Sequence, residues 1–187
     1  LENSQTNSVS TANVASNDNL TLGMYYFGDA SQNHYYYQGD IDEVRMYNRI
    51  LNECEILTLC NLPGTSLGDI NNNLVAYYPL NGNANDLSVN NIAGTLNNVT
   101  SVQGVNGIAN SAYQFTSSQN SNVNFGSNNR NITNEITLSL WMKTTTADFD
   151  YIVSKYNYID DEGYQIGIQN GQVFLAGRDG NNVYHNT

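Results

Sequence analysis

Positive charge is scarce in this chain: six Lys and Arg stand against 17 Asp and Glu, for a formal net charge of −11. That balance repels phosphate backbones and anionic lipid surfaces, so nucleic acid is not expected as a partner. Long apolar runs are missing too. No stretch approaches the ~20 residues that a membrane-crossing helix needs, and no membrane insertion is expected. Cysteine is nearly absent, with Cys54 and Cys60 confined to "NECEILTLCN". Six positions apart, they point to different sides of a continuous helix, so a bridge requires the helix to end between them. A local disulfide in an oxidising compartment and two small buried thiols both stay open. No histidine lies near enough to suggest a metal site. His34 and His185 are isolated and read as surface side chains. A G-x-S-x-G nucleophile elbow and a phosphate-binding loop are both lacking.

What the chain does have is neutral polarity, chiefly Asn, Ser, Gln and Thr, together with 14 tyrosines. Asn, Gly and Ser favour turns, while Tyr, Thr, Val and Ile favour pleated, half-buried surfaces. The mixture suits short strands with many turns and is typical of proteins outside a cell. No secretion signal is present, so any leader lies outside this chain. The abrupt opening at Leu1 fits an excerpt from a longer protein.

Residues 1–19 are polar and without period, and read as a loop or extended arm. "LTLGMYYF" (20–27) alternates as a strand with two usable faces. "HYYYQGDIDEVRMYN" reads as a longer strand broken at Gly39. "RILNECEILTL" places Ile50, Leu51, Cys54, Leu57 and Leu59 on one helical stripe and is the one convincing helix. "NLPGTSLGDINNN" (61–73) has the look of an interdomain linker. Strands resume at 74–80, with short candidates at 93–97, 112–116 and 122–125. In "EITLSLWMKT" (135–144), Ile136, Leu138, Leu140 and Met142 face one way, and Thr137, Ser139, Trp141 and Lys143 the other. "DYIVSKYNY" is another strand. Residues 163–177 read as a hairpin around Asn170-Gly171, the pair a type I′ turn prefers. Many short strands with one short helix indicate an all-β sandwich.

Two groups of motifs carry a family resemblance. "LVAYYPLNGNANDLS" with "AYQF" and "ITLSLWMKT" resembles the opening of a laminin-G-like, concanavalin-A-like domain. "LTLGMYYF" with "YYYQGDIDEVRMYNRILNECEI" resembles the close of one. The resemblance implies an antiparallel jelly-roll β-sandwich, with its two parts in reversed order. Residues 1–62 then form the C-terminal part of one domain, 63–73 a linker, and 74–187 the N-terminal part of the next. Three accounts follow: an excerpt from a tandem array, a circular permutant, and halves completed by neighbouring chains in a head-to-tail fibre. The excerpt is favoured, because a sandwich short of central strands leaves a buried edge unpaired.

Asp42 is the leading candidate for chemistry. In an unbroken strand it shares parity with Val44 and Met46 and so points inward, where a carboxylate needs a cation or several hydrogen-bond donors. The resemblance implies that it lies near the loop holding Asp86, in some members around calcium, an ion that accepts carboxylate, amide and backbone oxygens at loose geometry. Asn83, Asn85 and Asn90 make that loop oxygen-rich. Ca2+ is the one cofactor suggested, with Asp42 and Asp86 as ligands. The competing reading has Asp42 bonded to backbone N–H groups and Asp86 capping a turn, and Val89 and Asn91 stand where such loops carry small residues. A second acidic cluster, Asp160, Asp161 and Glu162 with Asp148 and Asp150 one strand earlier, reads as a solvated hairpin tip.

"GDIDEV" invites comparison with concanavalin-like glucanases, which need two carboxylates about 5–5.5 Å apart on one strand face for retention. Val44 and Arg45 stand where a further acid is required, so no glycoside hydrolase is expected. Tyrosines at 25–26 and 35–37 place rings on both faces of adjacent strands. Beside Asn, Asp and Gln they make a chemically suitable platform for sugars, and Trp141 shares its strand face with polar neighbours. Tyr35, Tyr37 and Trp141 are the expected ligand-contacting rings, against the alternative of ordinary core or rim packing. The expected function is a non-catalytic extracellular binding or adhesion module of a larger secreted or bacterial surface repeat protein. Its partners would be a glycan or surface protein, and neighbouring copies of the same domain. The alternative is a structural spacer or self-complementing fibre subunit.

Overall fold

The computed structural model describes residues 3–10, 16–26, 34–60, 69–127, 132, 135–144, 149–179 and 184–186. Asp148, Phe27 and positions 63–68 of the linker lie outside them. In chain order the first strands are β1 (Asn3–Ser10), β2 (Thr21–Leu22), β3 (Met24–Tyr26), β4 (His34–Tyr36) and β5 (Gly39–Tyr47). The helix α1 (Glu53–Cys60) follows. Then come β6 (Leu74–Tyr78), β7 (Thr95–Asn97), β8 (Thr100–Val102), β9 (Ala112–Phe115) and β10 (Asn122–Asn124). The last are β11 (Glu135–Lys143), β12 (Asp150–Asn157), β13 (Glu162–Gln169), β14 (Gln172–Asp179) and β15 (Tyr184–Asn186).

The strands form two large antiparallel sheets. One runs β1-β11-β5-β9-β8, with β6 also paired to β5. Strand β5 is thus flanked by β11 on one side and by β9 and β6, end to end, on the other. The second sheet runs β15-β14-β13-β12-β2-β10-β7. Strands β3 and β4 make a separate ribbon. Between the large sheets lies a core that joins Ile41, Val44 and Met46 of β5 to Ile136, Leu138 and Leu140 of β11. From the facing sheet come Val153, Tyr164, Ile166 and Leu175. A smaller cluster of Tyr47, Leu51 and Leu59 lies at the helix. Burying a side chain of this size contributes about 1.5–3 kcal/mol. The architecture is therefore an all-β sandwich. Both sheets mix strands from before and after the 63–73 segment: β2 lies between β10 and β12, and β5 is central in its sheet.

The alternation expected of residues 135–144 is observed, with Ile136, Leu138, Leu140 and Met142 on the core side. So is the hairpin at 170–171, where Asn170 and Gly171 both have positive φ (53° and 74°), as a type I′ turn requires. Residues 3–10, expected as loop or arm, instead pair with β11, from Asn3 opposite Met142 to Ser10 opposite Glu135. A polar strand without period suits an edge, where the partner's backbone sets the register.

The helix face also differs from expectation. Leu51, Glu55 and Leu59 are buried, while Ile50, Cys54 and Leu57 are exposed. Its phase is set by polar clamps. Asn52 Oδ1 accepts the Glu55 N–H, and Glu55 Oε2 accepts the Asn52 N–H, a reciprocal capping box. Arg49 then grips Glu55 with two hydrogen bonds of 2.8 and 2.7 Å. Neither cysteine is in a disulfide, with Cys54 at the surface and Cys60 half-buried. Neither the bridge nor the pair of buried thiols is seen.

Candidate functional site

The seven-stranded sheet carries an aromatic groove on its solvent-facing side. Its lining is Tyr25, Phe149, Tyr151, Tyr156, Phe174 and Gln165, with Tyr158, Gln169 and Arg178 at the margins and a cavity of about 230 Å3. Two features of the strands build it. Along β13 the core takes Tyr164, Ile166 and Ile168, so Gly163, Gln165 and Gly167 form the outer floor. A Cβ at Gly167 would stand 2.6 Å from the Phe174 ring and 2.4 Å from the Asp150 carbonyl oxygen, so only glycine lets that ring lie down on the floor. On β12 the register with β13 slips between Tyr151 and Val153. This bulge at Ile152 buries both Ile152 and Val153, and it puts Tyr151 and Tyr156, an odd number of positions apart, on one face.

The rings are packed as a cluster. Tyr25 lies 4.6 Å from Tyr151, Phe149 lies 4.9 Å from Tyr151, and Phe149 stacks on Phe174 at 5.8 Å and 12°. Tyr35, 43% exposed, extends the cluster through Phe149 and Tyr151. At the other margin the Tyr156 hydroxyl donates to Asp161, which Arg178 also pairs. Burial pushes the Tyr156 hydroxyl up, and the carboxylate beside it adds to the rise. Burial alone would raise Asp161, but the hydroxyl and guanidinium hold it below the usual carboxylate range. The acidic tip expected at 160–162 is therefore partly tied down, with Asp160 also accepting from Asn157.

Of the sequence candidates, Tyr35 joins this groove, while Tyr37 does not. Tyr37 is 0% exposed and packs against Phe115 in the core, so its ring meets no solute. Trp141 stands on the opposite sheet beside Asp42. Phase also corrects the inward placement of Asp42. Glu43 has φ +53°, and the β5–β11 register slips between Ser139 and Trp141. The bulge separates Asp42 from the core parity of Val44 and Met46 and turns it to the outer face with Arg45. There Glu43 Oε2 takes the Arg45 guanidinium at 2.7 Å and the Tyr77 hydroxyl at 2.9 Å.

Asp42 Oδ2 accepts the Val105 N–H at 2.9 Å, while Oδ1 is buried without a partner. Burial raises its carboxyl to about 6, against the Val105 hydrogen bond that favours the charge. Asp86 Oδ1 accepts the N–H groups of Tyr77 and Ser88, and Oδ2 that of Ile92. It therefore clips the 86–92 loop to β6. Both Asp86 oxygens thus serve backbone amides. Among the described residues, no group of three or more His, Cys, Asp or Glu is placed to hold a metal.

Phase in the hairpin points Phe174 away from Val173 and Leu175, so that ring was available from sequence once the turn was located. Tyr151 and Tyr156 were not, because the bulge between them leaves no mark in the alternation. Comparison with protein-family models, with curated proteins and with solved structures yields no significant match for this chain.

Proposed function

We propose that the chain is a non-catalytic, extracellular binding module that takes a carbohydrate chain in the aromatic groove of its seven-stranded sheet. The observation that carries this reading is the groove of Tyr25, Phe149, Tyr151, Tyr156 and Phe174 over Gln165. In it Phe149, Tyr156 and Phe174 are partly exposed, and Tyr25 and Tyr151 are buried as their support. Sugar rings have apolar C–H faces and hydroxyl rims. The partly exposed rings of Phe149, Tyr156 and Phe174 match the faces, and the exposed Gln169 amide with the Arg178 guanidinium matches the rims. A laminin-G-like, concanavalin-A-like jelly-roll identity accords with the quoted motifs. A closed unit, in which the N-terminal strands complete the sandwich of the same chain, accords with β2 and β5 lying inside sheets built from the rest.

Glycan-array screening followed by calorimetry tests the reading. Saturable binding to an oligosaccharide is expected, weakened about tenfold by Phe174→Ala, since the buried apolar area of a ring of this size is worth about 1.5–3 kcal/mol. Tyr35→Ala, at an exposed ring, should weaken binding without altering the melt. Binding to no glycan, or binding indifferent to both variants, would sink the proposal. Release of reducing ends from the bound polysaccharide would sink the non-catalytic part.

A further inference from the structure

We propose a second site, on the outer face of the six-stranded sheet: a recess that takes a primary alkylammonium group between Asp40, Asp42 and the Trp141 ring. It is independent of the aromatic groove, which lies on the other sheet. The recess has a volume of about 130 Å3 and is lined by Asp40, Asp42, Val105, Trp141, Met142 and Lys143, with Gln103 at its side. Asp42 is only 6% exposed. One of its oxygens is held by the Val105 N–H, while Oδ1 is buried without a donor, and Asp40 Oδ1 is buried without one as well. Two orphaned carboxylate oxygens at one cavity are costly unless a donor arrives, and a cation supplies both donor and charge.

The occupant's class follows from the walls. Trp141 is the cross-strand partner of Asp42, and its indole attracts an ammonium by cation–π interaction but offers a metal ion no ligand. Val105 and Met142, both partly exposed, give the apolar part of the lining that an alkyl stem prefers. A metal would need more oxygen donors, and no group of three or more acidic, His or Cys ligands is gathered among the described residues. Among the described residues, no cation forms an ion pair with Asp40 or Asp42, although Arg45 favours the charged form of Asp42 from a distance. Arg45 is paired with Glu43, and Lys143, opposite Asp40 in the ladder, is exposed and forms no ion pair among the described residues. The net charge of −11 further favours cationic ligands.

Trp141 is the one tryptophan in the chain, so its emission reports on this recess alone. The full chain is titrated with Nα-acetyl-lysine methylamide, with its Nε-acetylated counterpart, with glucosamine and with calcium chloride. A saturable change in Trp141 emission with an amine, and none with the Nε-acetylated compound, is expected. Asp42→Asn should weaken amine binding about tenfold or more, and Asp40→Asn by a smaller factor. Calorimetry on Asp42→Asn, with its melt confirming the fold, keeps the test independent of the fluorescence. Preference for the lysine amide identifies a peptide side chain as the source of the ammonium, and preference for glucosamine identifies an amino sugar. Equal response to the amine and its acetylated form, calcium binding that amines do not displace, or no response to any amine overturns the proposal.

Discussion

Replacing Asp42 by Asn should stabilise the protein at neutral pH and leave it nearly unchanged in acid. The carboxyl is carried from 3.8 to about 6 chiefly by burial, with the Glu43 charge adding repulsion and with the Val105 and Glu43 amides and Arg45 opposing the rise. At about 1.36 kcal/mol per tenfold change in proton affinity, holding the charged form costs the fold about 3 kcal/mol above pH 6. Water entering the recess screens part of that, so about 2 kcal/mol is expected. The sign follows from linkage. A folded-state value above the unfolded one means the native state binds the extra proton, so stability falls as pH rises from about 4 to about 6 and is level beyond. Asn is nearly isosteric, keeps an oxygen for the Val105 N–H, and carries no charge. Urea and thermal melts of both proteins across about pH 4–8 provide the assay. The difference between them removes every other titrating group, and for a chain of this size the gain amounts to a rise in Tm of about 4–8 °C at the upper end of the range. A variant destabilised equally at both ends would refute the reasoning. It would mean that Oδ1 has an ordered donor and that the charge is stabilised in place.

Glu55→Gln should behave with the opposite sign. The Arg49 hydrogen bonds hold Glu55 below its ordinary value, so its contribution, about 1–3 kcal/mol, is present above about pH 4.5 and is lost as pH falls through the folded value. The variant should therefore melt lower at neutral pH and converge with the parent in acid. Thr137, 0% exposed, donates to the Arg49 carbonyl at 2.8 Å and accepts the Leu51 N–H. Thr137→Val strands both backbone groups, and a loss of about 2 kcal/mol at all pH values is expected in urea melts. Light scattering over a dilution series should give the 20.7 kDa monomer throughout, with one cooperative melt. A mass growing with concentration would favour completion between chains.

Much of the sandwich is legible in the sequence. Strand β11 alternates cleanly because one face is buried against a sheet and the other is not, and a period of two records that directly. Asn170-Gly171 specifies its turn because both positions need positive φ, a local demand that few residue pairs meet. The type of α1 was legible as well, but not its facing, since the Arg49–Glu55 clamp outweighs a weak apolar stripe. Tertiary structure alone decided the rest. Residues 3–10 became a strand only because β11 offered an open edge. The two bulges, at Glu43 and Ile152, shift side-chain parity by one residue, and each shift builds a candidate site. The first turns Asp42 from the core to the Trp141 recess. The second sets Tyr151 and Tyr156 side by side in the groove. A bulge is chosen by what packs across the sheet rather than by the residues that form it, so alternation in one strand determines which residues can face together, and only the neighbouring strands determine which ones do.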